Sequence, residues 1–459
     1  MAGSEASIQE ATARLARDRG AETALWSRGE GLRLTFAELA DAIASWRRRL
    51  EPTIGETPAV ALATGNCAAF PVLFGALREL GVPVVAMDGA LPLESRLHLC
   101  RRLGVAALLH RDEQHGEPLG GGVRWSRVDD ADAVTPPEGT ALVKLTSGST
   151  GEPVGICLAE DALLAGIAQI AEGMAIRPRD RVLIAIPLSH SYGFDNGVLS
   201  LLVHGTPLVL EPSFFPAALL TALAEGEIDF FPLVPPLARA LAQTEWPAGL
   251  PLRTVICAGA PLPVETARRF RGAGGRAIHQ FYGSTETGGI TFETAPEDPA
   301  AEGSVGRPLP GVRLELGEAG TVSVDSRANF GGHLGRDATL VPRRVTTGDT
   351  ACVDATGRLR LTGRSAEICN VGGRKIPAAM VEDALRSATG VEELAVVGVD
   401  DPVRGDRIVA FLVANGRRVD LSTLPLGMQP REVRLVETLP YTERGKLDRR
   451  RLRELASAR

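Results

Sequence analysis

An alternation of apolar runs and amphipathic stretches between residues 57 and 110 constrains the fold most strongly. "TPAVALAT" (57–64) reads as a buried strand and "AAFPVLFGALREL" (68–80) as a helix. "GVPVVAMD" (81–88) reads as a strand, "LESRLHLCRRLG" (93–104) as a helix and "VAALLH" (105–110) as a strand. This order makes neighbouring strands parallel, because each crossover helix returns the chain to the same edge of the sheet. Upstream, "LTFAELADAIASWRRRL" (34–50) places Phe36, Leu39, Ile43 and Leu50 at helical spacing behind Thr35, a suitable N-cap. The alternation resumes with the helical "ALLAGIAQIAEGMA" (162–175). Strands are then predicted at "RVLIAIPL", "GTPLVLEP", "IDFFPLV", "TVICAGA" and "AIHQFYG".

From about residue 304 the texture changes. Short β-like pieces ("GVRLELG", "GTVSVDS", "ACVDATG", "RLRLTGR") are separated by glycines and predict a β-rich subdomain. After Arg364 follow a helix in "KIPAAMVEDALRSA", strands in "VEELAVVGV" and "DRIVAFLVA", and a tail helix. A chain of 459 residues exceeds one ordinary core. The expected architecture is α/β: a large N-terminal domain (1–363) with mostly parallel, helix-covered sheets plus the β-rich subdomain, and a small mobile α+β C-terminal domain (364–459).

The bulk numbers exclude several classes. The net charge of −6 attracts neither nucleic acid nor an anionic membrane, and the basic tail "RGKLDRRRLRELASAR" fits a solvated last helix. Six scattered cysteines contain no CxxC pair, so neither a disulfide framework nor a zinc site is expected. The N-terminal stretch has no apolar signal core, and no run is long and apolar enough for a membrane span. A cytoplasmic protein is expected.

"LTSGSTGEPVG" (145–155) is the sharpest local feature. Thr146, Ser147, Gly148, Ser149, Thr150 and Gly151 are all small. Glycines let several backbone N–H groups converge on one anion, and hydroxyls add donors at low steric cost. The stretch follows the strand-like "ALVKL", as a phosphate-binding turn should, but it is not a Walker loop. A Ser/Gly-rich surface turn is the bland alternative.

The rest of the chain decides between them. The loop resembles the signature of the adenylate-forming enzymes, which comprise acyl- and aryl-CoA synthetases, peptide-synthetase adenylation domains and luciferases. It matches [ST]-S-G-[ST]-[ST]-G-x-P-K-G everywhere except the lysine, replaced here by Val154. "PLSHSYGF" (187–194), "QFYGSTETG" (280–288), "TTGDTACVDATGRLRLTGR" (346–364), "NVGGRKIPAAMVED" (370–383) and "LPYTERGKLDRRRL" (439–452) resemble further family segments in the family order. The three tyrosines of the chain, Tyr192, Tyr282 and Tyr441, all fall in these stretches.

The resemblance implies a two-step reaction with ATP and Mg²⁺. A carboxylate attacks the α-phosphate to give acyl-AMP and pyrophosphate, and a thiol then displaces AMP. Step one sets negative charge against negative charge, so it needs cations and aimed donors. By resemblance, Tyr282 offers a flat face to adenine, and Gly259, Ala260, Pro261 and Gly283 fall beside the nucleotide. Thr285 reaches the α-phosphate, and Glu286 holds the metal. Asp349 accepts from the ribose hydroxyls, and Arg364 reaches ribose or phosphate from the domain junction. Lys446 bridges the carboxylate and the α-phosphate as a mobile point cation. Gly372 and Gly373 line a tunnel for a pantetheine arm. The junction departs from the pattern at Ala366, where many relatives carry Asp or Lys.

His190, Tyr192, Phe194, Ala258, Gly259, Ala260, Gly283, Gly288 and Gly289 match positions that border the acid, and His190 is also a catalytic candidate. The glycines are expected to leave room for a flat or elongated group. Amino-acid-activating relatives place an aspartate near Tyr192. Asp195 comes a few residues too late, so an aryl or fatty acid is expected. The acceptor is CoA or the phosphopantetheine of a carrier protein. Loss of the loop lysine removes about 1–3 kcal/mol of charge-assisted contact, for which Lys144 is a candidate replacement. A non-catalytic nucleotide- or acyl-adenylate-binding protein is the alternative.

Overall fold

The computed structural model describes residues 7–55, 57–147, 153–274, 276–317, 320–335, 344–364, 367–371, 374–389, 391, 393–401, 405–413, 429–441 and 447–457. The chain forms two compact units. The larger comprises 1–313 with 324–345, and the smaller comprises 314–323 with 346–459. That division follows packing and does not itself locate a hinge.

Two sheets build the larger unit. In the first, Thr140–Ser147, Val84–Ala86, Val60–Ala63 and Ala107–His110 lie parallel in that order. Antiparallel strands extend it at both edges, with Pro153–Ala159 and Gly332–His333 on one side and Val123–Arg127 and Glu117–Gly120 on the other. In the second, Ile278–Ser284, Thr254–Cys257, Phe230–Leu233, Val182–Ile184, Leu208–Leu210 and Thr23–Ser27 are parallel. Leu32–Thr35, Gly288–Phe292 and Arg307–Pro308 form its antiparallel edges. The expected mostly parallel α/β architecture is therefore present, and the antiparallel edges are what the alternation alone did not reveal.

The predicted helix behind Thr35 runs Phe36–Ile54, and Thr35 with Glu38 closes a capping box. Phe36, Leu39, Ile43 and Leu50 are buried along it. Ala69–Glu79 is buried from Phe70 to Leu77, and Phe194–His204 from Phe194 to Leu202. The first is apolar on nearly every face, as befits a helix inside a protein, whereas the second also buries Asp195, Asn196 and Ser200. Phe194–His204 is wound as a π-helix, which no sequence periodicity predicted. Among the described residues no helix is long and apolar enough to cross a membrane.

His110 illustrates a polar group closed into this core. Its Nδ1 accepts the Asp112 N–H at 3.0 Å, and its Nε2 lies 2.8 Å from Ser126 Oγ. An imidazolium could not accept from Asp112, so the ring is neutral. Burial, aided by the positive charge of Arg96, pushes its pKa from 6.5 down to about 4. The unfolded chain binds the proton first as pH falls. This contribution to stability is complete above pH 6.5 and is lost as pH falls toward 4. Thermal unfolding followed across that window should show a shallower loss of Tm in His110→Gln than in the parent. Parallel curves would contradict the assignment.

The smaller unit takes in most of a four-stranded sheet in the order Arg313–Leu316, Thr321–Asp325, Arg344–Val353, Leu359–Arg364, which realises the predicted β-rich stretch. It also holds a five-stranded sheet containing Arg374–Pro377, Ile368–Val371, Gly405–Leu412 and Leu394–Asp401, with Glu432–Leu435 parallel to Gly405–Leu412. Successive residues of its central strands face opposite sides. Val396 and Ile408 join Val381 and Leu385 of the helix Ala378–Thr389. Val397 and Val409 join Leu452 of the helix Arg449–Ser457. The sequence assigned 375–388 to one helix, but Arg374–Pro377 pairs with Ile368–Val371 and the helix begins at Ala378. Proline lacks the N–H a helix interior needs, which favours that break.

Candidate active site

The strands flanking the expected phosphate loop, Thr140–Ser147 and Pro153–Ala159, pair antiparallel. Thr146 stands opposite Val154 and Ser147 opposite Pro153. Gly148, Ser149, Thr150 and Gly151 lie outside the described residues. A Cβ on Gly155 would stand 2.8 Å from Leu334 and 2.9 Å from Val143. That glycine thus lets the strand Gly332–His333 lie close beside the hairpin.

Lys144 does not replace the missing cation. Its Nζ lies 2.7 Å from Asp195 Oδ1, with the two side chains only 3% and 11% exposed. The ammonium also lies 5.4 Å from the centre of the Phe194 ring. Its charge is engaged inside the protein, which corrects the sequence expectation. Asp195, set aside as too late in the sequence to meet an amino group, instead has a lysine as its partner.

The segment carrying His190 and Tyr192 leaves the carboxyl end of Val182–Ile184. Open α/β sheets bind ligands at this edge. Asn66 holds the approach: its Nδ2 donates to the carbonyls of Ile186 (2.9 Å) and Ala185 (3.3 Å), and its Oδ1 accepts from the Leu188 N–H (2.8 Å). His190 caps a short helix, Ser191–Gly193, and its Nε2 lies 4.0 Å from Asp88 Oδ2. Ser191 Oγ donates to Thr285 Oγ1 at 3.1 Å. Tyr192 donates its hydroxyl to the Ile256 carbonyl at 3.1 Å, and its ring centre lies 5.9 Å from that of Phe281. Burial raises the Tyr192 pKa well above the ordinary 10, so the phenol stays a neutral donor. Phe194 sits deeper, wholly buried and edge-on to Phe74 at 4.9 Å.

Ala258, Gly259, Ala260 and Pro261 continue from the carboxyl end of Thr254–Cys257. Ala258 is buried, whereas Gly259, Ala260 and Pro261 are exposed. Gly259 has φ +89°.

Thr285, Glu286 and Thr287 form the tight turn joining Ile278–Ser284 to Gly288–Phe292. Gly288 closes the turn at φ +66°, where side-chain-bearing residues are strained. Tyr282 is 7% exposed and pairs in register with Thr291. The expectation that Gly283 and Gly289 leave room for a ligand needs correction. A Cβ on Gly283 would stand 2.5 Å from the Gly288 carbonyl, and one on Gly289 2.7 Å from Leu309. The space these two glycines free is filled by the hairpin and its own packing.

The turn is tied to the phosphate hairpin. The Phe330 N–H donates to the Glu286 carbonyl at 2.8 Å, Gly331 N–H to Cys157 at 2.9 Å and Leu334 N–H to Gly155 at 2.9 Å. Residues 330–334 thereby connect the Thr285–Glu286 turn to the outgoing strand of the loop that should hold phosphate. No motif in the sequence marked this strap, because these three hydrogen bonds join backbone groups, which every residue carries.

The half-buried Glu286 carboxylate has no cation or hydrogen-bond donor beside it among the described residues. No cluster of three potential metal ligands occurs among them either. Mg²⁺ typically binds one or two carboxylates and completes its shell with phosphate oxygens and water. A half-buried carboxylate with no protein partner among the described residues suits that ion.

In the smaller unit Asp349 and Arg364 are register partners on adjacent antiparallel strands, so the two ribose candidates stand together. The Asp349 N–H donates to Thr347 Oγ1 at 3.2 Å. Ala366, Gly372, Gly373 and Lys446 lie outside the described residues.

Residues 12–327 match the AMP-binding enzyme family, and residues 380–446 match the AMP-binding enzyme C-terminal domain. The chain belongs to this family. Feruloyl-CoA synthase of Amycolatopsis sp is 30% identical over 463 residues, covering 91% of this chain and 93% of that protein. The 2-succinylbenzoate–CoA ligase of Listeria monocytogenes is 25% identical over 448 residues, covering 93% and 95%. Amide bond synthetase McbA from Marinactinospora thermotolerans superposes with a TM-score of 0.81 at 26% identity over 98% of this chain and 99% of that one. ATP-bound MatB from Rhodopseudomonas palustris shares the fold, with a TM-score of 0.83 at 21% identity over 98% and 99%. Within the family the chain is an AMP-forming acid–thiol ligase. The non-catalytic alternative draws no support from these relatives.

Proposed function

We propose that the chain converts an aryl carboxylic acid to its acyl-adenylate with ATP and Mg²⁺ and then passes the acyl group to the thiol of CoA. The observation that carries this reading is the backbone strap of residues 330–334, which ties the Thr285–Glu286 turn to the strand leaving the phosphate loop. The aryl class is supported by the names of relatives spanning nearly the whole chain, which act on feruloyl and succinylbenzoate groups. A fatty acid is the second class to test, and a carrier-protein phosphopantetheine the second acceptor. The six free cysteines suit a reducing compartment such as the cytoplasm.

In the first step a carboxylate oxygen bonds to the α-phosphorus and the bond to the β-phosphate oxygen breaks, releasing pyrophosphate. The loop N–H groups and hydroxyls hold the phosphates. Thr285, oriented by Ser191, donates toward the α-phosphate. Mg²⁺, when bound, offsets phosphate charge beside Glu286. Tyr282 packs on adenine, Asp349 and Arg364 hold ribose, and Lys446 bridges the reacting groups. In the second step the thiol sulfur bonds to the acyl carbon, AMP leaves and the thiol proton is released. Residues 364–459 rotate between the steps, withdrawing Lys446 and bringing Gly372 and Gly373 to the thiol.

The test is ATP–pyrophosphate exchange across aryl, fatty and amino acids, followed by addition of CoA, carrier protein or an amine. Exchange with aryl acids and thioester formation with CoA is the expected pattern. Exchange with no acid would defeat the proposal, and product with an amine alone would replace the acceptor.

A further inference from the structure

The buried Lys144–Asp195 pair is not accounted for by the reaction as described. Lys144 stands in the first sheet, in register with Ala86 and Ile156 and two residues before Thr146, the first residue of the proposed phosphate loop. Asp195 stands at the start of the π-helix, five residues after His190. The 2.7 Å contact therefore links the strand that leads into the phosphate loop to the segment that borders the acid.

An ion pair this deep is a poor device for stability, because both charges lose their water; its attested use is to fix register. A π-helix is also an uncommon winding that is found frequently at functional sites. Here Lys144 grips its first turn from one side while Phe70 and Phe74 pack edge-on against Phe194. At the other end of the same segment Asn66, just beyond the strand Val60–Ala63, holds the backbone of Ala185, Ile186 and Leu188. Residues 185–195 thus hang from the first sheet at both ends. Between the two supports lie His190, Tyr192 and Ser191, the last bonded to Thr285.

We propose that Lys144 and Asp195 are positioning residues for the carboxylic acid: their pairing fixes where His190 and Tyr192 stand in the segment that borders the acid, and neither side chain contacts ATP. This rests on the reading above that segment 188–194 borders the acid. Small misplacement of reacting groups costs on the order of 10²-fold in rate, so losing the pair should be visible in acid use alone.

The experiment measures KM for acid and for ATP in pyrophosphate exchange, using the full chain and an acid the parent accepts. Lys144→Met and Asp195→Asn are expected to raise KM for the acid by roughly 10-fold or more while KM for ATP changes less than about twofold. Because a lone buried charge can prevent folding, Lys144→Met/Asp195→Leu supplies an uncharged pair. It should fold with a parent-like Tm and still show the raised acid KM, since an apolar contact carries no direction. A double variant with parental KM for the acid would overturn the proposal, reducing the pair to a packing element. A rise in KM for ATP instead would also overturn it, making Lys144 a phosphate ligand. His190→Ala separates this inference from the reading beneath it. If it leaves acid KM unchanged, the segment is not the acid site. If it raises acid KM and the Lys144 variants do not, only the pairing inference fails.

Discussion

Lys446→Ala is expected to slow ATP–pyrophosphate exchange about 10³-fold while the protein still forms thioester from acyl-adenylate supplied to it. The scale is that of removing one preorganised donor from a developing oxyanion. The asymmetry follows from the chemistry. Adenylation brings a carboxylate to a phosphate, and a cation between them offsets both charges as the bond forms. Transfer has a neutral thioester as product and AMP as leaving group, so a cation at that spot is not required. Measuring the two half-reactions separately checks this. Equal loss in both would mean that Lys446 serves folding or substrate binding generally, and an unchanged exchange rate would remove it from the mechanism.

Val154→Lys is the complementary gain. The position lies opposite Thr146 at the mouth of the hairpin and is partly buried. A lysine there can lay its methylene stem along the protein and leave its ammonium in water near the phosphates. A charge-assisted contact of about 1–3 kcal/mol corresponds to roughly a 5-fold to 150-fold lower KM for ATP. Raised salt should erode the gain, since exposed charges are screened. Because Lys144 is committed to Asp195, no nearby lysine on the hairpin strand competes for the role. A variant that folds normally but keeps the parental KM for ATP would show that backbone N–H groups and hydroxyls already hold the phosphates to the limit the site allows.

The parts of the fold legible in the sequence share one property: their signal is local. Thr35 and Glu38 announce a capping box three residues apart, and strand–helix alternation from 57 to 110 announces parallel pairing. The proposed phosphate loop is likewise a local signal, small residues in succession. The illegible parts depend on distant partners. The strap at 330–334 works through backbone groups that every residue possesses. The π-helix at Phe194–His204 breaks the 3.6-residue period on which helix prediction depends. Gly283 and Gly289 looked like space for a ligand until the strands around them were seen to fill it.

By itself, then, the sequence determined the α/β class and the family, since each is written in residue types at short spacing. Only the tertiary structure decided the role of Lys144. Residues 144 and 195 are 51 positions apart, and nothing between them states that the two charges meet in the interior. A charge alone in water and a charge paired in a core have the same letter in the chain, and burial decides which one it is.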